Sequence, residues 1–102
     1  SWCFVEDIVE GIILCMTNEA SIGEAFNIGN PRSTLTIYNL AEEIRRLCAS
    51  SSEINCIEWK QTDVELRIPN IDKANRILGF KPQTELHEGL NKTIAWYREH
   101  IA

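Results

Sequence analysis

The stretch "TDVELRIPNIDKANRILGFKP", residues 62–82, decides how the chain is read. Its second half is a compact helix signal. Asn70 is placed as a cap, Ala74, Ile77 and Leu78 recur at helical spacing, Gly79 is a stop, and Pro82 lies beyond it. Its first half is polar and carries Arg67 between Leu66 and Ile68. A guanidinium is always charged and presents a planar fork of donors suited to phosphate. The unpaired N–H groups at a following helix start would favour the same anion. An ion pair with Glu65 or Asp63 is the plainer alternative, and spacing leaves both open.

Toward the N-terminus, Trp2 to Val5 reads as a short buried strand. Asp7 is placed to cap a helix over Ile8 to Met16, whose Ile8, Val9, Ile12, Ile13 and Met16 make a broad apolar face. Gly11 in that helix leaves room for another backbone. "AFNIG", residues 25–29, reads as a second strand. Thr36 caps the next helix, where Ile37, Leu40, Ala41, Ile44, Leu47 and Cys48 recur at i, i+3, i+4 spacing. "EINCIEW", residues 53–59, gives a third strand. Beyond the quoted stretch, Thr84 is placed to cap a last helix with Leu86, Leu90, Ile94, Tyr97 and Ile101 along one face. Strands alternating with helices predict an α/β fold: one unit over residues 1–102, with a small three-stranded parallel sheet and about four helices.

The totals restrict function. The chain has 102 residues and a formal net charge of −5, with no basic run to neutralise phosphates, which argues against nucleic acid or an anionic membrane as partner. Its longest apolar run, Ile12 to Met16, is far too short to span a bilayer. Cys3, Cys15, Cys48 and Cys56 form no CxxC pair, so no zinc site is expected and a reduced, cytoplasmic setting is the simpler one. The five glycines are scattered and make no phosphate-cradling loop. His87 and His100 read as solvated residues beside Glu88 and Glu99. Glu6-Asp7 and Glu42-Glu43 fit a helix first turn and a solvent face. No catalytic residue is assigned.

"SWCFVEDIVEGI", "AFNIGNPRSTLTIYNLAEEI" and "DVELRIPNIDKANRILGFKPQTELHEGLNKTIAWYRE" together resemble the C-terminal third of the extended short-chain dehydrogenase/reductase family of NAD-dependent nucleotide-sugar epimerases, dehydratases and decarboxylases. The UDP-glucuronate decarboxylase branch carries a similar opening, an "NxGNP" loop and an "RxPDIxKAxxxLGWxP" block. The resemblance implies a substrate-side region that holds a nucleoside diphosphate sugar, next to an N-terminal Rossmann domain that holds NAD. It places the diphosphate contact on Arg67 and puts Phe4 beside the nucleotide, where many relatives have tyrosine. It also implies that this chain alone binds no NAD and turns nothing over, because the GxxGxxG loop and the Tyr-xxx-Lys pair are not in it. The opening "SWCFVED" reads as the inside of a strand, so a piece of a longer enzyme is expected. An open edge at "AFNIG" would invite pairing between copies, hence a homo-oligomer. A stand-alone, non-catalytic nucleotide-binding or assembly module is the alternative.

Overall fold

The structure is a computed structural model and describes residues 1–101. Among the described residues four helices appear in chain order: α1 (Val5–Thr17), α2 (Ile37–Leu47), α3 (Asp72–Leu78) and α4 (Leu86–His100), with a 3₁₀ turn at Glu19–Ser21 after α1. Local chemistry sets several of their ends. The Thr36 hydroxyl accepts from the Asn39 N–H at 3.1 Å and starts α2. Gly79, at φ 69°, ends α3 in the left-handed conformation that glycine adopts without cost. The Asn70 side chain accepts from the Asp72 N–H at 2.9 Å at the start of α3.

The expected sheet is absent. Among the described residues there is no β-strand, so the three-stranded α/β arrangement is corrected to an all-helical one with long irregular connections. The reason is pairing. A strand exists only where a neighbour answers its N–H and C=O groups. Here the opening segment makes single bonds to two different places, Trp2 N–H to the Ser33 carbonyl at 2.9 Å and the Ser1 nitrogen to the Arg67 carbonyl at 2.8 Å. Val5 is already helical. Residues 25–29 and 53–59 make no backbone–backbone hydrogen bond. Three apolar runs with strand-like composition therefore make no backbone hydrogen bond to one another.

What closes the molecule is a small apolar core and a buried polar knot. Ala74, Leu78 and Phe80 are the buried hydrophobic residues among those described, and Phe80 is fully enclosed. This core lies on α3 and the turn after it, with α3 packed on the 3₁₀ turn. The knot joins distant parts of the chain. The buried Asp7 carboxylate accepts from the Gln83 and Thr84 N–H groups, both at 3.0 Å. Buried Asn30 donates from its amide to the Thr84 carbonyl at 3.2 Å and accepts from the Arg32 N–H at 3.1 Å. Arg32 then donates to the Pro82 carbonyl at 3.0 Å and to Glu85 at 2.8 Å. Every buried side-chain polar atom among the described residues has a partner, as burial demands.

Three caps thus differ from expectation, since the N-cap of α3 is Ile71 and Asn70 lies one residue before it. Asp7 sits inside the first turn of α1, with Phe4 at its N-cap, and serves the approach to α4 instead. Thr84 is not the cap of α4; Glu85 is, without a side-chain bond. The Thr84 N–H is taken by Asp7 and its carbonyl by Asn30.

Candidate anion-binding site

Where the opening segment, the 27–30 loop and the 67–70 segment converge, they enclose a cavity of about 420 Å³. Arg67 is on its wall, with Asn27, Asn30 and Asn70. The walls are held by specific bonds. The Arg67 carbonyl accepts from the Ser1 nitrogen and hydroxyl at 2.8 and 3.3 Å. Asn27 donates from its amide to the Asn70 carbonyl at 3.3 Å. A Cβ added at Gly29 would come within 2.7 Å of Pro69, so only glycine allows the two walls this close.

The plainer alternative for Arg67 is not the one adopted. Among the described residues no carboxylate lies within 4.0 Å of its guanidinium. Asp63 instead accepts from the Val64 N–H at 2.7 Å. The other half of the expectation is weaker too. The start of α3 contributes little to an anion, because Asn70 occupies the Asp72 N–H and Asp72 adds a carboxylate to the first turn. The guanidinium is the charged donor here, and the asparagines supply neutral ones.

Phe4 lies elsewhere. It lines a second, apolar cavity of about 250 Å³ between α2 and α4, together with Trp2, Leu40, Ile44 and Leu90. Its ring packs on Gly89 and lies 5.4 Å from the Lys92 ammonium. Arg67 and Phe4 therefore line different cavities, and Cys3 is the residue common to both walls. Burial first, and the Asp7 carboxylate second, push the Cys3 thiol up from its ordinary value. Sequence reading missed Ser1, Asn27 and Asn30 as wall residues. The "NIGNP" run was the signal that could have found them.

The described residues do not fit a dinucleotide cofactor. Gly11, Gly29 and Gly89 each spend their missing Cβ on the chain's own Ile28, Pro69 and Phe4, and Gly23 and Gly79 are isolated turn residues. No glycine cradle remains for a pyrophosphate of NAD. Among the described residues no group of three His, Cys, Asp or Glu could hold a metal, and no helix is long and apolar enough to cross a membrane.

No family model matches the chain. Individual relatives do. It is 37% identical over 98 residues to UDP-glucuronic acid decarboxylase 1 of Xenopus tropicalis, covering 96% of this chain and 23% of that one. It is 40% identical over 90 residues to UDP-glucuronic acid decarboxylase 3 of Arabidopsis thaliana, covering 88% of this chain and 25% of that one. The structure matches the epimerase Mth375 of Methanothermobacter thermautotrophicus with a TM-score of 0.87 and 34% identity, over 96% of this chain and 29% of that chain. Over nearly all of its length the chain is similar to a part of nucleotide-sugar epimerases and decarboxylases of the extended short-chain dehydrogenase/reductase family. Within that family it is similar to the UDP-glucuronic acid decarboxylases, and it spans about a quarter of their length.

Proposed function

We propose that this chain is the substrate-side part of an NAD-dependent nucleotide-sugar decarboxylase or epimerase, with Arg67 gripping the diphosphate of a UDP-sugar. One observation carries the reading: an arginine without a carboxylate partner lines a cavity together with Ser1 and three asparagines. A planar fork in that position can hold two phosphate oxygens at once. Phe4 takes part by packing on α4 and fixing the Ser1–Cys3 wall, so it acts on the sugar nucleotide through that segment. NAD, the proton-transferring residues and the sheet that carries them belong to the remainder of such an enzyme. A reduced, cytoplasmic setting and a homo-oligomeric state belong to the same reading, and light scattering of the purified protein checks the latter.

The test is calorimetric titration with UDP and UDP-glucuronate of the wild-type protein, Arg67→Ala and Arg67→Lys. Losing the fork should weaken binding roughly 10- to 100-fold, equivalent to about 1.5–3 kcal/mol for a charge-assisted hydrogen bond. Lysine keeps the charge without the fork and should fall between. Equal affinity for wild type and Arg67→Ala would remove Arg67 from the site.

A further inference from the structure

The stretch that carries Asn27 is fastened to the start of α3 at three successive points. First, the Lys73 ammonium donates to the Glu24 carboxylate at 2.6 Å and to the Ala25 carbonyl at 2.9 Å. Its Nζ also lies 5.0 Å from the centre of the Phe26 ring. Second, the Asn27 amide donates to the Asn70 carbonyl, and third, Gly29 closes on Pro69. The two stretches thus run in opposite directions, yet no backbone–backbone hydrogen bond joins them among the described residues. Side chains fasten them instead, and only the Lys73 contact carries charge. Neither Lys73 nor Glu24 is on the wall of the anion cavity, which Asn27, Asn70 and Arg67 line.

An ammonium has three donors and no acceptor. Here it answers oxygens on two successive residues, while the ring face of the next one takes the cation. The Lys73 hydrogen bond first, and its charge second, hold the Glu24 carboxyl below its ordinary value. The ion pair is exposed, and such a pair alone contributes little. The bond to the Ala25 carbonyl matters more for geometry, because it fixes main chain two residues before Asn27. We propose that Lys73 is a positioning residue for the anion cavity. By drawing residues 24–26 onto α3 it keeps the Asn27 amide on the Asn70 carbonyl, and so sets the width of the cavity that Arg67 lines. Its bearing on a UDP-sugar rests on the functional reading above; the link from Lys73 to Asn27 does not.

The experiment uses the protein expressed from its complete coding sequence, with isotopically labelled asparagine, as wild type, Lys73→Met, Lys73→Arg, Asn27→Ala and the Lys73→Met/Asn27→Ala double variant. Methionine keeps an unbranched stem over Phe26 and removes the ammonium. By nuclear magnetic resonance, the Asn27 side-chain amide, assigned by its loss in Asn27→Ala, should exchange with solvent about tenfold faster in Lys73→Met. Lys73→Arg should restore the wild-type rate. In calorimetric titration UDP affinity should fall roughly three- to tenfold in Lys73→Met, but less than about twofold when the same change is made in Asn27→Ala. Glu24→Gln weakens the contact from its other side and should shift both readouts the same way by less. Additive losses of affinity would make Lys73 a structural residue only and overturn the proposal. An Asn27 amide that exchanges equally in wild type and Lys73→Met would overturn it as well. If wild type binds no UDP, the diphosphate reading falls alone and the Asn27 amide still decides the role of Lys73. UDP binding with an unresponsive Asn27 amide refutes the role of Lys73 alone.

Discussion

Gly29 shows how much can depend on one missing methyl group. Its absent Cβ allows Pro69 to close against the 27–30 loop, and Pro69 is two residues from Arg67. In Gly29→Ala the new carbon would sit 2.7 Å from Pro69 Cγ, a rigid ring atom that cannot rotate away. The substitution should destabilise the protein by about 1–3 kcal/mol, the usual cost of overpacking. It should also weaken UDP binding by moving Arg67, with the helical circular dichroism unchanged. Urea unfolding and the titration described for Arg67 measure the two effects. At this scale the sequence was partly legible. Thr36 and Gly79 act through neighbours a few residues away, and local spacing reveals such partners. Thr84 does not cap its helix, and the group that holds its N–H, the Asp7 carboxylate, lies 77 residues off along the chain. Local pattern carries no trace of that distance.

Between elements, the Asp7 carboxylate is the main polar tie from α1 to the approach of α4. Both oxygens are used, one on each of two successive N–H groups. Asp7→Ala would strand those donors in a buried setting and should cost about 1.5–3 kcal/mol. Asp7→Asn keeps one acceptor and should cost less, and urea midpoints at matched slopes separate the two. The helices themselves were readable, with α1 to α4 found within a few residues of the expected places. The strands were not, although their composition is strand-like. Helical hydrogen bonds close within one segment, so a helix's own sequence contains its partner. A strand's partner lies elsewhere, and none of the three apolar runs answers another here.

For the molecule as a whole, the proposed function puts the diphosphate grip and the redox chemistry in different stretches of polypeptide. The described residues offer no cradle for NAD. This 102-residue chain, supplied with UDP-glucuronate and NAD, should therefore form no NADH. Absorbance at the reduced cofactor's band checks this, and any sustained rate above a no-protein control would contradict it. The family resemblance was legible because its blocks lie along the whole chain in order. The orientation of α1 was not. Apolar periodicity says that α1 has an oily face but not which way it points, and here that face points outward, with Val9, Ile12, Ile13 and Met16 exposed.

The knot at Asp7, Asn30 and Thr84 also bears on how such chains change length over time. It clasps the two ends of the sequence, while residues 55–68 between them stay exposed. Loop closure grows only logarithmically with span, about 0.6 kcal/mol for each doubling. A few residues inserted between Cys56 and Glu65 should thus cost the clasp almost nothing. The same insertion between Thr84 and Leu86 would pull the Thr84 amide and carbonyl out of register with α4. Relatives of this fold should therefore differ in length ahead of the arginine more than just before the last helix.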